Sequence, residues 1–273
     1  MTDPTPTQPL LGPDAAASSA SPRPRRRWLL PAAAIVLVLF GAAALLAALL
    51  GPASASTGAA ASSTAPTRAA APSRSAVSAQ DAQHEPISKL ADPAWVKRIS
   101  GESNIPQRAL AAYAGAALSV AQTDPSCGIG WNTLAAIGQV ESDHGSLNGA
   151  RLDRHGVATP TIVGPSLDGN GTLKVPDTDQ GQYDGDPTWD HAVGPMQFIP
   201  STWAQVGQDG NRDGKKDVNQ IDDASLAAAQ HLCSIGGDLT VPQNWINAIG
   251  AYNDSADYNN KVAAVATQYG SLR

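Results

Sequence analysis

Along this chain the apolar positions follow three different regimes. From Trp28 to Leu50 the sequence reads WLLPAAAIVLVLFGAAALLAALL, 23 residues without a charge. As a helix that run would reach about 34 Å, enough to cross a hydrocarbon core of about 30 Å. On either side of it, residues 1–27 and 51–85 are dominated by small and polar residues with no sustained period. Such composition has too few large apolar groups to bury a core. From Pro86 to Arg273 a helical period takes over. It is carried by PQRALAAYAGAALSVAQ (Pro106 to Gln122), with proline at a plausible first helical position, and by WNTLAAIGQVESDHG (Trp131 to Gly145). DDASLAAAQHLCSIGG from Asp222 and NWINAIGAYN from Asn244 add two more segments. Between Gly145 and Gly194 the period lapses into glycine, proline and short β-like pieces such as ATPTIV. An irregular excursion of that length in a compact domain is usually functional.

The organisation this predicts is a disordered cytoplasmic tail (1–27), a transmembrane signal anchor (28–50), an Ala/Ser/Thr/Pro linker (51–85) and one mainly α domain (86–273). Four arginines in RPRRR, Arg23 to Arg27, stand just before the apolar run and hold that side in the cytoplasm. The domain is then expected outside, tethered to the cell membrane. Two fates fit the apolar segment. The small residues of GPASAS (Gly51 to Ser56) offer a cleavage site that would give a secreted protein, whereas the run itself exceeds the 7–15 residues of a signal peptide and favours the anchor.

Charge narrows the function class. The net charge is −6, and the only dense basic cluster flanks the apolar span, so nucleic acid is not an expected partner. Both cysteines, Cys127 and Cys233, fall on the exported side, where disulfides persist, and are expected to pair.

Candidate chemistry begins with the glutamates. Of 24 acidic residues only Glu85, Glu102 and Glu141 are glutamates, and only Glu141 lies in an apolar helix. Leu134, Ile137, Gly138 and Glu141 share one helical face. A carboxyl closing an apolar stripe is partly desolvated, which raises its pKa toward the range a general acid needs. An ordinary solvated glutamate at a helix end is the plainer reading of the same spacing. Glu141 and His144 also form an E-x-x-H pair, but helical carboxylate–iron sites need two such pairs and two further glutamates, more than this chain has. In AVGPMQFIPSTW (Ala192 to Trp203) an amide sits among apolar groups between turn-forming residues, a pattern equally suited to a pocket rim and to plain packing. In DGDPTWDHAVG just before it, Trp189 could shape a sugar subsite or simply hold a surface loop.

Taken together, ES on a helix, GPMQFIPSTW and then AYN (Ala251 to Asn253) resemble the lytic murein transglycosylases, most closely the membrane-bound type B group of actinobacteria. The resemblance implies a mainly α, lysozyme-like catalytic domain that cleaves the MurNAc–GlcNAc β-1,4 bond of peptidoglycan glycan strands. By this similarity Glu141 is the catalytic acid and base, and Ser142 orients the site and contacts the substrate. Met196, Gln197 and Phe198 line the sugar cleft, with Tyr252, Asn253 and Tyr258 on its other wall. A single carboxylate suffices if the C6 hydroxyl of MurNAc attacks its own C1 to give a 1,6-anhydro sugar, so no cofactor is expected for the chemistry. Asp143 and Asp190 stay open as second acids, and with them a muramidase-type hydrolase. A non-catalytic wall-binding module is the third reading.

DGNRDGKKD (Asp209 to Asp217) puts Asp209, Asn211 and Asp213 at positions 1, 3 and 5 of an EF-hand-like loop, with Gly214 at 6 and the carbonyl of Lys215 at 7. Position 12 is Gln220, which departs from the pattern. By the type B resemblance Asp223 closes a longer loop, which would hold a weakly bound structural Ca²⁺. A plain Asp/Asn/Gly turn is the alternative.

Overall fold

The computed structural model describes residues 65–74 and 84–272. The chain divides into two units, Met1–Thr57 and Gly58–Arg273. The first unit, and with it the expected tail and anchor, lies outside the described residues. No described helix is long and apolar enough to cross a membrane.

Seven α-helices carry the described part: α1 (Pro93–Ser103), α2 (Gln107–Thr123), α3 (Trp131–Ser142), α4 (Pro200–Val206), α5 (Ile221–Gly236), α6 (Pro242–Tyr252) and α7 (Ala256–Gly270). Local chemistry sets their ends. Asp92 caps α1 by accepting the N–H of Trp95 at 2.8 Å, with Pro93 at the first helical position. Ser255 caps α7, and Pro200 and Pro242 open α4 and α6.

At the centre α2 packs against α5 and α3, and α3 in turn against α7. Alanine dominates the buried face of α2, so the helices approach closely, and Trp131 fills the gap beside them. Its ring meets Trp95 edge-on at 5.3 Å and stacks on Tyr269 at 6.1 Å. Arg108 on α2 makes two 2.7 Å bonds to the buried carboxylate of Asp222 at the start of α5. Cys127 and Cys233 form the expected disulfide, Cα–Cα 5.3 Å, joining the loop before α3 to the end of α5. A loop of 106 residues closed this way stabilises the fold by up to about 4–5 kcal/mol.

The segment expected to be a linker needs correcting. Residues 65–74 are part of the folded body. The buried side chain of Asn132 donates to Thr67 O (3.0 Å) and Ala266 O (2.9 Å) and accepts from Ala69 N (2.9 Å). Trp131 N donates to Ala69 O, Asp92 N to Pro72 O, and Arg74 N to Leu90 O. This strap is held by backbone hydrogen bonds, which a composition of small residues does not report.

The excursion between α3 and α4 contains two short antiparallel pairs, β1 (Arg151–Leu152) with β2 (Ala158–Thr159) and β3 (Val163–Ser166) with β4 (His191–Val193). Its shape comes largely from aspartates that accept backbone N–H groups. Asp177 receives Gly181 N, Asp184 receives Asp186 N and His191 N, and the fully buried Asp190 receives Thr178 N. Trp189 belongs to this scaffold. Lys174 Nζ lies 5.6 Å over its ring, and the ring does not line the cleft described next.

Candidate active site

Glu141 lies in the last turn of α3. Beyond it Asp143 (φ 48°), His144 (φ 59°) and Gly145 (φ 85°) take left-handed conformations that turn the chain away. The turn is fastened from inside. Tyr269 donates its only hydroxyl proton to Gln139 Oε1, so His144 Nε2–H donates to the Tyr269 oxygen (3.1 Å) and His144 Nδ1 accepts from the Tyr113 hydroxyl (3.3 Å). Burial pushes the His144 pKa down to about 4, against the opposite pull of Asp143, and keeps the ring neutral. Gly138 leaves room for this cluster, since a Cβ there would lie 2.1 Å from the Tyr113 hydroxyl.

The carboxyl of Glu141 faces a cleft of about 740 Å³. Burial raises its pKa to about 7, while a 2.7 Å hydrogen bond from the Tyr258 hydroxyl lowers it by a smaller amount. Near neutral pH the group can therefore both deliver and take up a proton. Gln197 and Phe198 form one wall of the cleft, and Tyr252 and Asn253 form another.

The Gln197 wall is positioned by its backbone. Gly194 (φ +79°) packs so tightly that a Cβ would fall 2.0 Å from Val218 O. Ser142 Oγ donates to Pro195 O at 2.6 Å and accepts from Gly145 N at 2.8 Å. The Tyr252 hydroxyl donates to Met196 O at 2.7 Å. The Ser142 and Tyr252 hydroxyls thus pin successive carbonyls of the Gly194–Gln197 turn, and Gln197 itself adopts φ 50°.

Several expectations need adjusting. Ser142 and Met196 were expected to touch substrate, but their exposures are 1% and 0%, so they act beneath the surface, Ser142 as a brace and Met196 as packing. Tyr258 is buried behind Glu141 instead of forming an open wall. Asp143 points to Ser146 Oγ, and Asp190 is sealed inside the excursion, so neither is a second acid on the cleft. The carboxylate that does line it, along with Glu141, is Asp254, and the imidazole that does is His231. Neither gives a local sequence signal, because only the tertiary fold turns them toward the same space.

The Asp209–Asp217 loop has the backbone of an EF-hand opening. Asp209 accepts Asp213 N (3.1 Å) and Gly214 N (2.9 Å), and Gly214 has φ +86°. Asp223 is fully buried and accepts Gly210 N, Asn211 N and Asp217 N, yet burial raises its pKa to about 7, with the charge of Asp209 adding to the shift. Both Asp223 oxygens are taken up by these N–H groups, so the loop has the spacing of a cation site while its carboxylates are not gathered into a cluster. Among the described residues the carboxylates that converge within 4.8 Å are a different trio, Asp177, Asp179 and Asp190.

With this geometry in view, residues 176–238 match the family model of the Transglycosylase SLT domain. The expected mainly α, lysozyme-like fold and the resemblance to lytic transglycosylases are borne out by that match. It spans the Gln197 turn, the Asp209 loop and α5, and it excludes Glu141 and Asn253, which the fold brings to the same cleft. No curated protein gives a significant match. Among solved structures the chain is similar to SltB3 from Pseudomonas aeruginosa, crystallised in complex with NAG-anhNAM-pentapeptide, at 20% identity and a TM-score of 0.37 over 66% of this chain and 68% of that one.

Proposed function

We propose that this chain is a peptidoglycan lytic transglycosylase. The observation that carries the reading is Glu141, a carboxyl whose pKa is raised to about 7 at the wall of a 740 Å³ cleft shared with Gln197 and Asn253. In the proposed reaction Glu141 protonates the oxygen linking MurNAc C1 to GlcNAc as that bond breaks. Its carboxylate then takes the proton of the MurNAc C6 hydroxyl as that oxygen bonds to C1. The product is a 1,6-anhydro-MurNAc end, the carboxyl is regenerated, and no water is consumed. Intramolecular attack of this kind carries a large effective molarity. Cell-wall remodelling is the role that would use it.

The test is digestion of purified peptidoglycan by the full chain, followed by mass spectrometry. Anhydro-muropeptides from the native protein, and none from Glu141→Gln, are the expected outcome. Undiminished digestion by Glu141→Gln would overturn the assignment. Asp254 on the cleft favours a second reading, a muramidase in which it activates water, as two-carboxylate glycosidases do. That reading gives reducing ends in place of anhydro ends.

Two further parts of the proposal rest on sequence and local geometry. The 23-residue uncharged segment after four arginines supports a membrane anchor, to be tested by whether the full chain sediments with membranes and is released by detergent. The Asp209–Asp223 loop is proposed to hold a structural Ca²⁺, weak because Arg212, Lys215 and Lys216 dilute its charge. Its affinity is expected at about 10⁻⁴–10⁻³ M. Millimolar Ca²⁺ should produce heat in calorimetry and raise the melting temperature, and absence of both would remove the ion.

A further inference from the structure

Among the hydrogen-bonding side chains of the cleft that the proposed chemistry leaves unused is an imidazole. His231 lies in the last turns of α5, half-buried, and lines the cleft near Ile199 and Thr202. The other histidines with buried surface are committed to the protein. His144 joins two tyrosines, and His191 meets Gly164 O at 2.8 Å and Asp186 at 3.3 Å. The His231 ring has no hydrogen-bond partner among the described residues, and neither ring nitrogen is sealed from solvent. Burial lowers its pKa below the usual imidazole value, so the ring is neutral when Glu141 is in its working range. A neutral imidazole offers one N–H donor and one nitrogen acceptor. A half-desolvated donor–acceptor pair without a protein partner, facing a cleft, is matched by a ligand bearing hydroxyl and amide groups.

We propose that His231 is a sugar-recognition residue, hydrogen-bonding a hydroxyl or acetamido group of an N-acetylhexosamine unit in the cleft. This rests on the reading of the cleft as a glycan site and adds a named contact to it. Among the described residues the hydrogen-bond partner of the Glu141 carboxyl is Tyr258, not His231. The contribution of His231 is therefore to binding: loss of the contact raises KM and leaves kcat and the pH profile nearly unchanged. A neutral ring also favours the uncharged sugar over the carboxylates of the stem peptide.

The experiment compares His231→Gln, which keeps a donor and an acceptor, with His231→Phe and His231→Leu, which keep neither. Binding of tetra-N-acetylchitotetraose, a probe with no carboxylate, is measured by calorimetry in a Glu141→Gln background, and KM and kcat on solubilised glycan strands in the native background. The apolar variants are expected to weaken binding and raise KM by about 3–10-fold, the worth of one neutral hydrogen bond. His231→Gln should stay within about twofold of the native protein by the same measure. Native-like binding by both apolar variants, or a glutamine variant as weak as they are, would overturn the inference and leave the enzyme reading intact. A native protein that neither binds the probe nor releases soluble product would overturn the reading of the cleft, and the inference with it. Melting curves separate the two kinds of loss, since a packing role alone would lower the melting temperature and restore nothing in the glutamine variant.

Discussion

Tyr258 and Glu141, 117 residues apart in the chain, meet through a 2.7 Å hydrogen bond from the phenol to Oε1. The bond sets the acid strength of the carboxyl from α7, an element with no other part in the cleft. Burial drives the pKa up and the phenol restrains it, and the balance is a pKa of about 7.

Removing the restraint should move the balance upward. In Tyr258→Phe the carboxylate loses its donor while burial remains, so its pKa rises. The proposed reaction requires the protonated acid, so the alkaline limb of kcat/KM against pH should shift to higher pH by about one unit. A limb that stays in place or moves to lower pH would show that Tyr258 does not tune Glu141.

Glu141 should also cost stability. Its folded pKa, about 7, lies above the ordinary glutamate value of 4.5, so the folded state binds the proton more tightly than the unfolded one. The stability this provides is complete below about pH 4.5 and is lost as pH rises through about 7. Glu141→Gln should therefore stabilise the protein at pH 8 by about 1–3 kcal/mol, and the gain should shrink toward zero as the pH falls to about 4.5. Urea denaturation at the two pH values measures it.

Ser142 is predicted to act through the Gly194–Gln197 turn. Ser142→Ala leaves Pro195 O and Gly145 N unpaired in the interior and should cost about 1–3 kcal/mol. It should also lower kcat on glycan strands, because the turn that carries Gln197 is released on one side. Equal stability and equal activity would remove the brace from the account.

Arg108→Met would leave the carboxylate of Asp222, which is 1% exposed, without its cation and with neutral donors only, chiefly Ser88 Oγ at 3.0 Å. Breaking a buried pair from one side costs about 3–5 kcal/mol. Thermal unfolding should show a large drop, while the pKa of Glu141, read from the activity profile, stays where it is.

Much of the helical frame was readable because α2, α3, α5 and α6 carry long apolar stripes. The helix α7 was missed because ADYNNKVAAVATQYG buries only Tyr258, Val262, Ala263, Ala266 and Tyr269 among polar residues. The dipeptide Asp92-Pro93, a cap followed by proline, was a usable start signal for α1. At the site, the glutamate could be singled out because a carboxyl in an apolar stripe is unusual in itself. Ser142 and Met196 were placed on the cleft surface because a motif fixes order along the chain but not depth below the surface. His231 escaped for a related reason: metal-ligand spacing is a local pattern, whereas facing a cleft is a tertiary property. The aspartates of the excursion look like sugar or metal ligands in sequence, and most of their oxygens are taken up by neighbouring N–H groups.

The strap at 65–74 moves the physical edge of the folded domain some twenty residues upstream of where composition changes. A version starting at residue 86 would strip two acceptors and a donor from the strap side of Trp131 and Asn132, both on α3, the helix that carries Glu141. A cut among the small residues at 51–56, by contrast, leaves every one of those bonds in place. If the proposed anchor holds the chain at a membrane, release at that point would change its address while the folded body stayed the same.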